Sequence, residues 1–366
     1  MKVLMISRPT LFTVPGGDTV QMVETAKALE KMGVTATIHT DGSTPEYDRF
    51  DLMHFFNVIR PGNLIPHVRN SRLPYVLSTI FVDYSEIERH YRGPFFSRAS
   101  QLCGPDGVDY LKTLARWAKN GEHPGDPGYL WRGQKKSVES LLNGAAVLLP
   151  NSHSEYDRLK KRYRCNRPYI PVPNGVSTDF LSYPGRENAE RNGVVCVGRI
   201  ELIKNQLVLI RALNGTGIPL KIIGKPAPNH LKYYEACKRE AGENVTFTGQ
   251  LDQACVMAEL SKAKVHALPS FFETTGLSSL EAAAMGCNVV ITAKGDQREY
   301  FEDWAHYCLP EDLDSIRTAV ENALATPVNH GFSQHIAEHF TWEKAAEATL
   351  RAYHQAIGSQ VIVSNE

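Results

Sequence analysis

Two glutamates lie on either side of a strand-to-helix turn in the segment PSFFETTGLSSLEAAAMG, residues 269–286. Residues 265–268 predict a buried strand, and residues 277–285 predict a helix. Glu273 precedes the turn, and Glu281 lies on the helix, one turn beyond its start. The segment therefore predicts one acidic group before the amino-terminal end of a helix and one behind it.

The backbone at this turn can hold an anion. Amides that open a helix have no partner within it, and they carry the positive end of the helix dipole. A phosphate can dock on the amides of Thr275, Gly276 and Leu277, and Gly276 lets it approach closely because it has no side chain. This layout suits a ligand with charge in its middle and hydroxyls at both ends, which describes a nucleotide sugar. A surface glutamate followed by one on a helix face would give the same spacing without a ligand.

A second group of candidate residues lies in VGRIELIKNQ, residues 197–206. A strand ends before Gly198, and Arg199 and Lys204 follow near the start of a helix. Ligands of open α/β sheets bind at the carboxyl ends of strands. An arginine can hold phosphate oxygens with two parallel hydrogen bonds and a lysine adds a point charge, so the pair could stabilise a departing diphosphate. The alternative is a solvated loop, and the glutamate-bearing turn in the same half of the chain favours the functional interpretation.

The turn after the first predicted strand carries Gly16 and Gly17, just before a helix predicted over residues 20–32. Glycines there would let the backbone lie against a phosphate or a sugar, although turns use glycine for many reasons. The turn holds neither Gly-x-Gly-x-x-Gly nor Gly-Lys-Ser/Thr. Its sequence therefore argues against a nicotinamide dehydrogenase and against a P-loop enzyme.

Composition narrows the class of protein. The 366 residues suffice for two domains, and 42% hydrophobic with 22% charged residues is typical of a soluble globular protein. Lys+Arg and Asp+Glu both number 40, which argues against nucleic acid as the main partner. No apolar run is long enough to span a membrane, and the amino terminus resembles a first strand rather than a signal peptide.

The seven cysteines are scattered without a Cys-x-x-Cys pair. Reduced thiols in the cytoplasm are a better interpretation of this pattern than a disulfide framework or a zinc site. Metal-ligating residues do not cluster, and Asp312 and Asp314 are better interpreted as caps of the helix that follows. The sequence therefore predicts no metal and no cofactor.

Short apolar runs alternate with helical patterns, which is typical of parallel α/β layers. A linker rich in proline and glycine is predicted at residues 171–192. We therefore expect one domain over residues 1–175 and another over residues 176–341, with a terminal helix in residues 342–366 packing back on the first. The predicted strands span residues 3–6, 35–39, 52–56, 75–78, 146–149, 193–197, 220–223, 245–247, 265–268 and 288–291.

Residues 86–136 fit the alternation poorly. Basic residues outnumber acidic ones there, aromatic residues are interleaved, and the stretch GEHPGDPG at 121–128 predicts a loop. A helical insertion with a solvated basic face would explain this pattern. A wall of an acceptor site, or a peripheral contact with anionic lipid headgroups at the inner face of a membrane, would also explain it.

Taken together, these motifs resemble the retaining family-four glycosyltransferases. The resemblance rests on the Glu273–Glu281 pair, the GLSSLEAAAMG helix, the segment from Arg199 to Lys204, and Pro-Asn-Gly at 173–175. It covers nearly the whole chain. It implies the GT-B fold, in which two Rossmann-like domains with parallel sheets face across a cleft, an acceptor domain first and a nucleotide-sugar donor domain second.

The resemblance also implies roles for individual residues. Arg199 and Lys204 would hold the diphosphate, Glu273 would contact hydroxyls of the donor sugar, and Glu281 would bind the donor ribose. Gly17 would lie near the phosphates or the sugar, and the turn at Leu251 would frame the base. Family members usually transfer with retention, without a metal ion, and by front-face attack of the acceptor hydroxyl.

The chain departs from the family pattern after the fourth strand. Many members carry a histidine near the donor sugar there, whereas this chain has Phe81 near the expected place. Asp83, two residues further on, is a candidate substitute.

We therefore expect a retaining glycosyltransferase that moves a sugar, UDP-linked in the donor, to a glycan or glycolipid acceptor in surface polysaccharide synthesis. A non-hydrolysing sugar-nucleotide epimerase shares the architecture and would need acid and base groups at the sugar carbon. A catalytically silent sugar-nucleotide-binding protein is a third possibility, against which the intact set of charged residues argues.

Overall fold

The protein divides into two compact units, which we describe from a computed structural model. Unit 1 contains residues 1–173 and 342–366, and unit 2 contains residues 174–341. The division after Pro173 falls inside the predicted linker, two residues before the expected boundary. The structure describes residues 1–40, 43–82, 93–121, 125–184 and 190–363.

Unit 1 is built on a parallel sheet of order β2-β1-β3-β4-β5. Its strands are β1 (Lys2–Ile6), β2 (Thr35–His39), β3 (Leu52–Phe56), β4 (Tyr75–Ser78) and β5 (Val147–Leu149). Its first helices are α1 (Gly17–Lys31), α2 (Pro61–Asn70), α3 (Gly93–Asn120), α4 (Gly128–Gly144) and α5 (His153–Arg162). Every residue of β3 and β4 is buried, as expected for central strands of a parallel sheet covered on both faces.

Helix α1 begins three residues before the predicted start at residue 20. Gly16 is the N-cap, and its amide donates to the Thr19 hydroxyl over 3.0 Å. Asp18 pairs with Arg8 at 2.8 Å and places a negative charge in the first turn. The glycine turn is therefore the start of a helix rather than a loop before one.

Two helices account for most of the described part of residues 86–136. Helices α3 and α4 each contain a glycine with a left-handed backbone, Gly104 and Gly133. The buried Asp126, in the loop before α4, forms ion pairs with Arg69 of α2, at 3.1 Å, and with Arg132 of α4. These contacts attach the insertion to the body of unit 1.

Unit 2 contains a second parallel sheet, of order β11-β10-β9-β6-β7-β8. Its strands are β6 (Asn192–Val197), β7 (Leu220–Ile223), β8 (Val245–Gly249), β9 (Ala263–Leu268), β10 (Asn288–Thr292) and β11 (His306–Cys308). Its helices are α6 (Thr178–Leu181), α7 (Gln206–Leu213), α8 (Leu231–Glu240), α9 (Gln253–Lys262), α10 (Leu277–Ala284), α11 (Gln297–Phe301), α12 (Leu313–Ala325) and α13 (His330–His339). The edge strand β11 was not predicted, because three residues form no recognisable apolar run.

The strand order determines which loops of unit 2 meet. β6 pairs with β9, and β9 pairs with β10, all in parallel. Their carboxyl ends therefore lie side by side, and the loops that follow them carry Lys204, Glu273 and Gln297 respectively. Two buried apolar layers, one on each face of the sheet, support these loops.

The terminal helix α14 (Trp342–Val363) returns to unit 1 and packs against α1. Its buried Tyr353 shares a 2.8 Å hydrogen bond between its hydroxyl and Nδ1 of His54. Nε2 of His54 in turn shares a 2.8 Å hydrogen bond with the Ser78 hydroxyl. Burial lowers the pKa of His54 to about 3, so the ring is neutral and the chain of three groups joins α14 to β3 and β4 without a buried charge.

The described part of the chain holds no helix that is both long enough and apolar enough to cross a membrane. The six cysteines with described side chains are free thiols, and five of them are buried.

Replacing Tyr353 by Phe should lower the free energy of unfolding by about 1–3 kcal/mol, because it leaves a buried nitrogen of His54 without its partner. Urea unfolding of the variant measures the loss. Tyr234→Phe is the matched control, since no described residue hydrogen-bonds to the Tyr234 hydroxyl, and its effect should stay within about 0.5 kcal/mol. Equal effects of the two variants would contradict the proposed role of the Tyr353 hydrogen bond.

Candidate functional site

A close ion pair lies at the carboxyl edge of the sheet in unit 2. Lys204 Nζ is 2.5 Å from Glu273 Oε1, and the Ser270 hydroxyl donates to the same oxygen over 2.7 Å. The Lys204 side chain is 21% exposed and the Glu273 side chain 9%, so water screens the pair poorly. Lys204 ends a short 3₁₀ turn after β6, and Glu273 lies in the loop after β9. Adjacent parallel strands thus bring together two residues that the sequence identified separately.

The backbone around Glu273 is fixed by the neighbouring loop after β10. The Asp296 amide donates to the Glu273 carbonyl over 2.9 Å, and Gly295 forms a β-bridge with Glu273. Gly295 has a φ of +86°, and a Cβ added to it would stand 1.8 Å from the Glu273 carbonyl oxygen. Only glycine allows this approach, so the two loops hold the Glu273 carboxylate at a defined position.

Helix α10 begins at the predicted turn. Gly276 is its N-cap in a left-handed conformation with φ +71°, and its carbonyl accepts the first helical hydrogen bonds, from Ser279 and Leu280. The amide of Leu277 opens the helix and has no carbonyl within the helix to bond. Gly286, after the last turn, is left-handed as predicted, with a φ of +86°.

A buried hydrogen-bond network lies behind Thr275. The Asn174 side chain donates to the Thr275 hydroxyl over 3.0 Å, and the Asn174 amide donates to the Tyr300 hydroxyl over 3.1 Å. The Thr275 hydroxyl is 3.3 Å from that of Tyr300, which closes the network. Sequence reasoning missed Asn174 and Tyr300 as supporting residues, although the Pro-Asn-Gly motif was a signal for the first.

Glu281 is half-buried on α10, and no described residue forms a hydrogen bond or an ion pair with its carboxyl group. Desolvation raises the pKa of this group to about 8. At neutral pH the carboxyl group is therefore mostly protonated, and it can both donate and accept hydrogen bonds.

Arg199 lies on the same loop as Lys204, but its ion pair is with Glu201 rather than with Glu273. Its guanidinium is 3.1 Å from Glu201, and its side chain is 42% exposed. The Glu201 side chain is only 12% exposed, so the accessible partner of this ion pair is the arginine, whose guanidinium is suited to bind phosphate. The structure thus brings Lys204, Glu273 and the start of α10 together, while Arg199 lies beside them in an ion pair that the sequence did not predict.

His266 of β9 forms part of the floor beneath Lys204. It is fully buried, and its Nε2 accepts a 3.4 Å hydrogen bond from the Val197 amide. Burial lowers the pKa of His266 to about 3, and the charge of Lys204 acts in the same direction. The ring is therefore neutral, and it adds no second positive charge under the lysine.

The remaining predicted residues lie on other elements. Leu251 follows β8, is half-buried, and packs against the buried layer that includes Leu280 and Val289. Gly16 and Gly17 belong to unit 1, at the start of α1. Asp83 lies outside the described residues. Phe81, at the place expected for the family's histidine, is buried, and its amide donates to the Glu155 carboxylate over 2.9 Å.

The part of the chain that the structure describes contains no group of three or more His, Cys, Asp or Glu side chains placed to hold a metal ion. Asp312 instead caps α12, since its carboxylate accepts hydrogen bonds from the amides of Asp314 and Ser315. This confirms the capping role predicted for it.

Residues 179–339, nearly all of unit 2, match the family model of glycosyl transferases group 1. In this region the chain is similar to the group 1 glycosyltransferases. The ion pair and the start of α10 both lie within the matched region.

Two curated proteins are similar to this chain over most of its length. It is 27% identical to a D-inositol 3-phosphate glycosyltransferase of Pseudarthrobacter chlorophenolicus, over 94% of this chain and 92% of that protein. It is 28% identical to a glycogen synthase of Mycobacterium tuberculosis, over 64% of this chain and 60% of that protein.

Solved structures confirm the GT-B fold expected from the resemblance. Sucrose-phosphate synthase from Thermosynechococcus elongatus superposes with a TM-score of 0.73 at 15% identity, covering 98% of this chain and 100% of that one. HepE of Anabaena, in complex with UDP and glucose, superposes with a TM-score of 0.66 at 13% identity, covering 96% and 98%.

The raised pKa of Glu281 predicts that Glu281→Gln changes the stability of the folded protein by an amount that depends on pH. Below pH 4.5 the carboxyl group is protonated in both the folded and the unfolded chain. Between pH 4.5 and about 8 only the unfolded chain releases the proton. The stability of the wild type therefore falls as pH rises through this range. Gln cannot ionise. The variant should therefore gain stability over wild type as pH rises to about 8, and the gain should vanish near pH 4.5.

Urea unfolding at several pH values measures this difference. Glu321→Gln, on the exposed side of α12, is the control for exchanging a glutamate for glutamine. A pH-independent effect of Glu281→Gln would show that the carboxyl group is not desolvated in the folded protein.

Proposed function

We propose that this glycosyltransferase moves a sugar from a UDP-linked donor to a hydroxyl of a glycan or glycolipid acceptor, with retention of configuration and without a metal ion. The observation that carries the proposal is the Lys204–Glu273 ion pair beside the start of α10. It offers a cation and a row of amides for a diphosphate, and a carboxylate for sugar hydroxyls. A role in surface polysaccharide synthesis follows from the family resemblance.

The diphosphate would be held by the Lys204 ammonium group and by the amides at Thr275, Gly276 and Leu277, which present hydrogen-bond donors at the positive end of the helix dipole. Arg199, the more exposed partner of the Arg199–Glu201 pair, would join them by exchanging that pairing for a phosphate oxygen.

The other donor groups would be held by separate residues. Glu281, protonated at neutral pH, would both donate to and accept from ribose hydroxyls. Leu251 would face the base, and Gly16 and Gly17 would lie along the phosphates or the sugar, as the family resemblance implies.

Donor binding would replace the Lys204–Glu273 ion pair by a contact between Lys204 and the diphosphate. Lys204 and Glu273 neutralise each other, which limits the cost of burying either charge. A diphosphate would compete for Lys204, and Glu273 would then accept hydrogen bonds from the donor sugar. The Glu273 carboxylate would thus become available only to a ligand that carries both phosphate and hydroxyl groups.

In the transfer itself, the bond between the sugar carbon and the diphosphate oxygen breaks, and a bond from the acceptor oxygen to that carbon forms on the same face. The acceptor proton passes to the departing diphosphate, so no protein base is required. Lys204 and the α10 amides stabilise the charge that develops on the leaving group.

UDP is the favoured nucleotide because HepE, which shares the fold, was solved with UDP and glucose. Incubation with UDP-N-acetylglucosamine in the absence of acceptor separates transfer from epimerisation. A transferase leaves the donor largely intact, whereas an epimerase turns it over.

Replacing Lys204 by Met should lower kcat by about 100-fold or more, because the leaving diphosphate loses its closest cation. The assay is release of UDP from a panel of UDP-sugars with glycan and glycolipid acceptors. Lys262→Met removes the same charge from the exposed end of α9 and should leave kcat unchanged. Normal turnover by Lys204→Met would refute the assigned role.

Lys204→Met also leaves Glu273 without its partner, which could disturb folding rather than chemistry. The double variant Lys204→Met/Glu273→Gln removes both charges and therefore avoids an unpaired carboxylate. It should unfold at the wild-type temperature and remain inactive.

We further propose that unit 1 contacts the surface of a membrane through a patch on α4. Trp131 is 92% exposed there, and Arg132, Lys135 and Lys136 are exposed beside it. An aromatic ring next to several cations suits the headgroup region of an anionic bilayer.

Vesicle sedimentation tests this contact. Each Lys near an anionic surface contributes about 1 kcal/mol, so Lys135→Glu should weaken binding to phosphatidylglycerol-containing vesicles by about 5-fold or more. Lys161→Glu, at the exposed end of α5, should have a smaller effect. Equal binding of the wild type to vesicles of phosphatidylcholine alone would contradict the proposal.

A further inference from the structure

Two fully buried polar side chains beside the start of α10 lack hydrogen-bond partners among the described residues. Gln297 and Ser279 are both 0% exposed. Neither amide atom of Gln297 nor the hydroxyl of Ser279 forms a hydrogen bond with any described residue. The three atoms come from two different elements, the first turn of α10 and the first residue of α11.

Both side chains point at the N-cap of α10. A Cβ added to Gly276 would stand 2.7 Å from Nε2 of Gln297 and 3.7 Å from Oγ of Ser279. Any side chain at residue 276 would therefore displace the Gln297 amide. Gly276 is thus required for two reasons, its left-handed backbone and the room that it leaves for Gln297.

Leaving these groups unpaired is costly. Buried polar atoms in folded proteins nearly always have partners, and each exception needs an explanation. An apolar side chain of similar volume would fill the position of Gln297 without this cost. The protein instead keeps the side-chain amide of Gln297 next to the start of α10, where a helix favours anions. This indicates that the hydrogen-bond partner of the amide is a group of the bound ligand.

We propose that Gln297, assisted by Ser279, is a further donor-binding residue that contacts the phosphate group seated at the start of α10. Nε2 of Gln297 donates to a phosphate oxygen, the Ser279 hydroxyl donates a second hydrogen bond, and Oε1 of Gln297 accepts from a hydroxyl of the attached sugar. The ligand class is therefore a glycosyl ester of a nucleoside diphosphate. This inference rests on the proposed function.

The strand order explains how Gln297 reaches the site. β10 lies next to β9, so the loop after β10 passes under the turn that carries Gly276. The same loop holds Glu273 through Gly295 and Asp296. One segment would therefore position the sugar-side carboxylate and contact the phosphate.

The test compares two buried glutamines. Gln297→Met keeps the volume and removes the unpaired amide. Its affinity for UDP-glucose should fall about 10-fold, whereas the melting temperature of the ligand-free protein should stay equal or rise. Gln134→Met is the control, because the Gln134 amide accepts from the Tyr129 hydroxyl at 2.7 Å and donates to the Ile59 carbonyl at 2.9 Å. It should lower the melting temperature and leave the affinity unchanged.

Calorimetric titration with UDP and with UDP-glucose, together with melting temperatures, gives both readouts. Ser279→Ala should weaken binding of both ligands by a smaller factor. Gln297→Glu should weaken binding more than Gln297→Met, because a carboxylate there repels the diphosphate. If Gln297→Met does not fold, the affinity of Gln297→Glu tests the role of Gln297 instead.

The outcomes distinguish this inference from the proposed function. Wild type that binds neither ligand would overturn both. Wild type that binds UDP-glucose while Gln297→Met binds it equally well, with a lowered melting temperature, would overturn only the role of Gln297. That result would make the amide a packing residue.

Discussion

The ion pair between Lys204 and Glu273 is the interaction on which the site in unit 2 depends. Two opposite charges are held 2.5 Å apart and largely out of water. Desolvating such a pair costs about as much as its attraction returns, so apolar residues would stabilise the fold at least as well. The pair is therefore better explained by chemistry than by stability, since a ligand with phosphate and hydroxyls can exchange with both partners.

The surrounding structure keeps this pair and the start of α10 in a fixed relation. The loop after β10 holds Glu273 through its backbone, and the Asn174–Thr275–Tyr300 network holds the turn from behind. Catalysis by charge stabilisation requires donors that are already in place before the charge develops. These contacts supply that preorganisation, and apart from Asn174 their residues lie within the region that matches the family model.

Much of this arrangement could be predicted from the sequence. Short runs rich in apolar and β-branched residues predicted the bounds of β2, β3, β4 and β7 without error. The positions of Lys204 and Glu273 in loops after strands predicted a site at the sheet edge. The order of the strands, which makes the two residues neighbours, could not be predicted, because it depends on contacts between distant segments. For the same reason Tyr300 and Gln297 escaped notice. The pairing of Arg199 with Glu201 is local, but it depends on the conformation of a loop that the sequence pattern does not specify.

The most direct test of this account is a crystal structure of the protein with UDP. We expect the diphosphate at the start of α10, with an oxygen within hydrogen-bonding distance of Lys204 Nζ and the Lys204–Glu273 contact lengthened. A diphosphate bound elsewhere, with that ion pair intact, would contradict the central claim.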